Sequence, residues 1–331
     1  MVTTERWHRS EPYTWQMRRI MVTGAATWTG GRLIQRLERH PEVEVIAVDE
    51  LPATVEFESA IHDLAIDELD FAHFFLDTRP HVLIHLQAID RAAILGREKS
   101  HSRVVMGARG LFGALQRCTD IEKVVMRSDS AFYGSGPRQP SIVGEETVPR
   151  GTTSAYSRSI RDVEKLLTEV AADVPHVTFT TLRLAPIVGS EINNPLSRYL
   201  RLPVVPTILG YDPRIQVIHE EDAVSALLHA VGRSIPGTFN IAADGQLYLS
   251  RVLRLGRRLA QPLPAPQHRA AMRAAGALGG RFPGSLEHYL RYGRFMDTTL
   301  MRQSYGWRPA LTVRQAILTA YGRVASPGTA K

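Results

Sequence analysis

One cysteine, Cys118, stands in a chain of 331 residues. It excludes an internal disulfide framework and fits a reducing compartment. No Cys/His cluster carries metal-ligand spacing, so no metal is expected. No apolar run approaches the length of a membrane span, and residues 1–18 lack the apolar core of a signal peptide. These absences lead to the expectation of a cytoplasmic protein without a membrane partner. No internal repeat is visible. The net charge is +7, yet the arginines are scattered and form no run, which argues against a nucleic-acid partner. With 44% hydrophobic residues, a chain of this length can bury a full core, as one large domain or two intimate ones.

What is present centres on residues 19–49, RIMVTGAATWTGGRLIQRLERHPEVEVIAVD. Ile20, Met21 and Val22 form a short apolar run. Glycines and small residues follow from Gly24 to Gly31. Leu33, Ile34 and Leu37 then share one helical face, and a second apolar run ends in Asp49. The pattern is strand, tight turn, helix, strand, acid. A diphosphate approaches backbone N–H groups at a helix N-terminus only where side chains are small or absent. A carboxylate closing the second strand can accept hydrogen bonds from an adenosine ribose. The plain alternative is an ordinary βαβ unit with a glycine turn. Turn, helix and acid all at their places favour the dinucleotide.

TGAATWTGG resembles the TGxxGxxG loop of the extended short-chain dehydrogenases/reductases, the family of NAD-dependent sugar-nucleotide epimerases and dehydratases. Gly24 and Gly30 match the first and last glycines. Thr27 stands at the middle one, where its Cβ and hydroxyl would crowd a pyrophosphate. Asp49 implies NAD over NADP, since a 2′-phosphate would be repelled. The resemblance implies cofactor contacts from Gly24, Ala26, Thr27, Trp28, Gly30, Asp49, Asp63, Leu64, Leu86, Gln87, Ala88, Tyr156 and Pro186. Asp63 and Leu64 match positions near the adenine, although Asp63 reads nearly as well as a cap on a helix starting near Ile66. His85 to Ala88, HLQA, resembles an HLAA segment whose backbone lines the cofactor. His85 itself reads as a satisfied interior histidine.

The catalytic motifs depart from the pattern. SDSAFYG resembles SSxxVYG, with Asp129 at the position of the catalytic Ser/Thr and Ser128 and Ser130 flanking it. Tyr156 to Glu164 resembles YxxxKxxxE, with Ile160 at the lysine position. Lys165 falls on another helix face. A helix over 97–118 carries Val104, Val105 or Gly107 where the family has an Asn. RLAPIVG resembles the RLxxxxG turn. QVIHEED resembles QxxHxxD, with Asp222 expected to cap a helix over 223–231. GTFNI and GWRP match later segments, the second docking a last helix over 313–321. Residues 190–215 read as Pro-rich and irregular, and the Pro/Ala-rich 261–280 as a mobile or poorly packed stretch. The resemblance spans roughly 18–322. The wording of 196–223 is similar to an actinobacterial branch of UDP-glucose 4-epimerase-like proteins, which often lack the full set of active-site residues.

The resemblance implies a Rossmann-like, doubly wound parallel α/β sheet with a smaller, interleaved C-terminal substrate domain. A tail (1–18) precedes a dinucleotide-binding domain (19–189 and 214–243), and 190–213 and 244–331 form the smaller domain. A free tyrosine titrates near ~10 and is a poor base at neutral pH without a neighbouring cation. A carboxylate beside it disfavours the phenolate further. Hydride transfer by a Tyr/Lys pair is therefore expected to be weak or absent. Three readings follow: a divergent enzyme with redox-neutral epimerase, dehydratase or cyclase chemistry on Asp129, Tyr156, Ser128 and Ser130; an ordinary NAD-dependent epimerase or dehydratase with the lysine replaced from elsewhere; or a non-catalytic dinucleotide-binding regulator. In the first, the bound dinucleotide is structural or absent. The expected substrate is a small molecule, with a nucleotide sugar suited to the basic surface. A homodimer through 97–118 and 154–170 is implied by the resemblance.

Overall fold

The computed structural model describes residues 17–67, 69–86, 97–150, 154–279 and 282–324. Gln87 and Ala88 lie outside the described residues. The strands are β1 (Arg18–Thr23), β2 (Val43–Asp49), β3 (Ile61–Asp63), β4 (Val82–His85), β5 (Lys123–Asp129) and β6 (Thr178–Leu184). With Gly237–Ile241 they form a seven-stranded sheet ordered β3-β2-β1-β4-β5-β6 and then Gly237–Ile241. Every pairing in it is parallel. All four residues of β4, VLIH, are buried, as a central parallel strand requires. The chain order reverses between β1 and β4, which opens a crevice beyond their C-terminal ends.

Strand alternation divides the core between the two faces. Val22, Ile84 and Val125 pack with α1 (Trp28–Leu37) and the Glu220–Gly232 helix. Met21, Leu83, Val124 and Met126 pack with the Leu69–Thr78, Arg97–Leu115 and Ala155–Asp173 helices. A third cluster, including Tyr199, Val205, Leu253, Tyr289 and Ile317, gathers the elements after β6. Among the described residues no helix is long and apolar enough to cross a membrane.

Several expectations are corrected. Residues 190–215 hold the Pro195–Arg201 helix, with Pro195 in its first turn and Asn194 accepting from the Ser197 amide at 2.8 Å. Proline is tolerated there because that amide position has no intrahelical partner. Residues 261–279 are ordered as well. The Leu259–Leu263 strand pairs in parallel with Val204–Ile208, and the Ala265–Gly279 helix buries His268 and Met272. Asp63 ends β3, in register with Asp49, and caps no helix among the described residues.

Asp222 is not an N-cap. The helix begins at Glu220, and His219 caps it through its ring. The Asp222 carboxylate instead receives the amides of Ala310 and Leu311 at 2.9 and 3.1 Å. Glu220 is buried, and a Cβ at Gly189 would sit 2.0 Å from its carboxyl carbon. Burial raises the Glu220 pKa to about 7, against the Glu191 amide and the Ser190 hydroxyl, which lower it. The folded value lies above the unfolded one, so the contribution is full below about pH 4.5 and is lost as pH rises through 7. Melting at pH 5.5 and 7.5 should therefore show a fall in the wild type that Glu220→Gln reduces. The difference between those two pH values is about 2 kcal/mol.

Candidate functional site

Parallel pairing brings the C-terminal ends of the strands to one edge. Thr23, Asp49, Asp63, His85 and Asp129 end their strands there, with Leu86 and Pro186 just beyond. Gly24 has φ 84°, a conformation that favours glycine. A Cβ on Gly30 would lie 2.2 Å from the Gly24 carbonyl oxygen. The turn is therefore closed on itself by two glycines.

Thr27 is the N-cap of α1. Its hydroxyl donates to Gly24 O at 2.9 Å and accepts from the Gly30 amide at 3.0 Å. The hydroxyl is thus turned into the loop. Asp49 accepts from the Ala26 amide at 3.1 Å and from the Leu51 amide at 3.1 Å. Thr54 holds the Ala26 carbonyl from both its amide and its hydroxyl. The amides of Trp28 and Thr29, first in the helix, make no hydrogen bond among the described residues. They are the donors a helix N-terminus offers an anion. A diphosphate fits this turn, with those two amides as its donors and Asp49 and Asp63 at the neighbouring strand ends.

Leu86 puts its side chain into the core and its amide on the Thr23 carbonyl at 3.0 Å. Leu64, Trp28 and Pro186 are half-buried. His85 is only half satisfied. Nδ1 shares a hydrogen bond with Thr23 Oγ1 at 2.8 Å, while buried Nε2 has no partner among the described residues. Burial lowers its pKa to about 4, so the ring is neutral at pH 7.

β5 separates two groups of predicted catalytic residues. Ser128 faces the Ala155–Asp173 helix and donates to Glu164. Glu164 also takes Arg183 Nε and Nη2, the latter at 2.6 Å. Arg183 Nη1 reaches Tyr133 Oη and the Glu145 carbonyl, each at 2.9 Å, and the guanidinium stacks 3.6 Å from the Phe132 ring centre. Tyr133 donates to Asn240 at 2.7 Å. The structure thus places Ser128, expected to help orient substrate, in this buried network.

Asp129 caps the Ser130–Tyr133 turn through the Ala131 amide at 2.6 Å. Tyr156, in the first turn of the Ala155–Asp173 helix, donates to Asp129 Oδ2 at 3.3 Å. Ile160 is buried and offers no donor, while Lys165 points to solvent and pairs with Glu169. A cation does reach this end of β5, from a segment to which sequence reasoning gave no role. Arg294 donates to Ser130 Oγ at 2.8 Å, Gly134 O at 3.0 Å and Ser135 Oγ at 3.1 Å. Burial lowers its pKa, and Asp129 and the phenols of Tyr289, Tyr156 and Tyr133 act against that. The signal was Gly293, which ends the Gly284–Tyr292 helix at φ 66° and turns the next residue inward.

A doubly wound parallel sheet with a glycine turn at its switch point defines a Rossmann-type nucleotide-binding protein. A model of the NAD dependent epimerase/dehydratase family matches residues 20–242. The chain belongs to that family. An uncharacterized protein of Mycobacterium tuberculosis (strain ATCC 25618 / H37Rv) is 33% identical over 311 residues, covering 90% of this chain and 81% of the relative. An uncharacterized protein of Mycobacterium bovis matches to the same extent.

Among solved structures, a Thermotoga maritima UDP-glucose 4-epimerase with UDP-glucose aligns at TM-score 0.71 and 19% identity, covering 92% of this chain and 98% of that one. A Bacillus cereus UDP-glucuronic acid 4-epimerase with NAD aligns at 0.70 and 17%, with the same coverage. A Thermus thermophilus UDP-glucose 4-epimerase with NAD aligns at 0.68 and 21%, again covering 92% and 98%. At these identities the likeness shows the fold.

Two substitutions probe the frame. Gly30→Ala should lower stability by about 1–3 kcal/mol, read by thermal melting, because the added methyl meets backbone. Arg183→Met should cost about 3–5 kcal/mol in a denaturant titration, because Glu164 is left buried and charged.

Proposed function

We propose that the chain is an NAD-binding enzyme acting on a nucleotide-sugar-type small molecule, with epimerase- or dehydratase-type chemistry. Asp129 and Tyr156 stand in place of a Ser-Tyr-Lys set. The observation that carries the reading is the 3.3 Å contact from the Tyr156 hydroxyl to Asp129 Oδ2 at the C-terminal end of β5. Family membership supports the cofactor and reaction class. The structures of nucleotide-sugar epimerases with NAD or UDP-glucose support the substrate class.

In this reading the amides of Trp28 and Thr29 hold the diphosphate, with Gly24, Ala26, Thr27 and Gly30 shaping the turn. Asp49 braces the turn and faces the ribose end with Asp63 and Leu64. Leu86, Pro186 and Tyr156 line the nicotinamide end. When bound, the nicotinamide supplies a reversible hydride acceptor. Asp129 takes a proton from the substrate at Oδ2 and returns it, and the Tyr156 phenol donates a hydrogen bond to a substrate oxygen. Ser130 orients Asp129. The smaller unit, 190–213 and 244–331, closes the substrate side. A second copy docks through 97–118 and 154–170.

The test joins binding and turnover. NAD added to the purified protein should raise its melting temperature. A panel including UDP-glucose and UDP-glucuronic acid, followed by NMR, should reveal conversion. Asp129→Asn should lower that turnover by about 10²-fold or more while NAD binding stays in place. Asp129→Asn with unchanged turnover removes Asp129 as the proton acceptor. A wild type with no NAD response removes the cofactor assignment.

A further inference from the structure

The Arg294 hydrogen bonds end on a carbonyl and two hydroxyls, none of them charged. Its countercharge is one hydroxyl away. Arg294 Nη1 donates to Ser130 Oγ at 2.8 Å, and Ser130 Oγ donates to Asp129 Oδ1 at 3.4 Å. Tyr156 donates to the other oxygen, Oδ2, at 3.3 Å. Guanidinium, hydroxyl, carboxylate and phenol form one continuous line.

The arginine is built in from several sides. The Gly293 amide closes the preceding helix on Tyr289 O at 2.8 Å, and a Cβ at Gly293 would lie 2.5 Å from Arg214 O. Gln216 holds Met296 by both amide atoms, to its carbonyl at 3.2 Å and its amide at 2.9 Å. Val143 bonds Phe295 O and Asp297 N, each at 2.9 Å. The Tyr289 ring lies 5.4 Å beneath the guanidinium. Two other arginines of this region have partners of their own. Arg183 holds Glu164, and Arg161 Nε donates to Phe132 O at 2.7 Å.

We propose that Arg294 is the positioning cation of the Asp129–Tyr156 pair, aiming the carboxylate through Ser130. It fills the electrostatic place that an ammonium at position 160 would take. An arginine suits this because it stays protonated even when burial works against it. The inference rests on the reading of Asp129 and Tyr156 as the reacting pair. Among the described residues, the groups set against Asp129 include Tyr156 from the Ala155–Asp173 helix, Tyr289 from the Gly284–Tyr292 helix, and Arg294 itself. Arg161 and Tyr133 face Arg294.

The test reads protonation directly. Aspartate labelled with 13C at the carboxyl carbon is titrated by NMR, and Asp129 is assigned by its loss in Asp129→Asn. In Arg294→Met the Asp129 carboxyl signal should titrate at higher pH than in the wild type. Arg294→Lys should restore most of that shift. Ser130→Ala, which cuts the line and leaves both charges in place, should move it the same way by less. A purely structural arginine would leave the Asp129 titration where it is in folded variants. An unchanged titration in both Arg294→Met and Ser130→Ala overturns the proposal. If Arg294→Met does not fold, Ser130→Ala decides alone. Turnover that survives Asp129→Asn would instead remove the reacting-pair reading, while the titration still reports on the line.

Discussion

The structure depends on the buried ion pair of Arg183 and Glu164, whose side chains are 7% and 9% exposed. Burying two charges is costly unless geometry and further hydrogen bonds compensate. Here both conditions are met. Glu164 receives Nε, Nη2 and the Ser128 hydroxyl, and the remaining Arg183 donor reaches Tyr133 and the Glu145 carbonyl. The pair ties β5, β6 and the Ala155–Asp173 helix at one point. That helix also carries Tyr156. The position of the phenol over the end of β5 is therefore fixed by a charge pair two turns further along the same helix.

The same strand explains why adjacent polar residues have unlike roles. Val124, Met126 and Ser128 face one side of the sheet and Val125 the other. Ser128 falls under the helix, where its hydroxyl completes the shell of Glu164. Asp129 ends the strand and keeps its carboxylate at the rim. Position 160 projects from the helix into a site where isoleucine is 3% exposed. An ammonium there would need a charged partner at close range. The guanidinium arriving from the C-terminal segment comes instead with its own wall, the Tyr289 ring, and with oxygen acceptors for its donors.

Much of this frame was legible in the sequence, and the reason is locality. The glycine turn, α1 and Asp49 lie within one βαβ unit, and spacing alone places them on one edge. The exposure of Lys165 follows from helical period. Arg294 could not be placed that way. It lies far along the chain from Asp129, and only the docking of the Gly293–Asp297 segment on Val143 and Gln216 brings them together. Asp222 was misassigned for a different reason. Glu220, Glu221 and Asp222 are three consecutive acids, and acids suit a first helical turn as well as a cap. The Ala265–Gly279 helix was missed because two prolines at its approach, Pro264 and Pro266, read as breakers, although proline is tolerated in a first turn.

The cradle itself follows a similar economy of donors. Thr27 takes the Gly30 amide and Asp49 takes that of Ala26, so two donors that could face a ligand face the protein. This narrows what the turn offers to the amides of Trp28 and Thr29. It also means that the loop is formed before any ligand arrives, since its shape is set by its own hydroxyl, by the carboxylate of β2 and by Thr54 on the Ala26 carbonyl. A preformed loop adds little ordering entropy to the cost of binding. Threonine at the middle glycine position thus exchanges donors for rigidity and leaves a diphosphate the amides of Trp28 and Thr29 to meet.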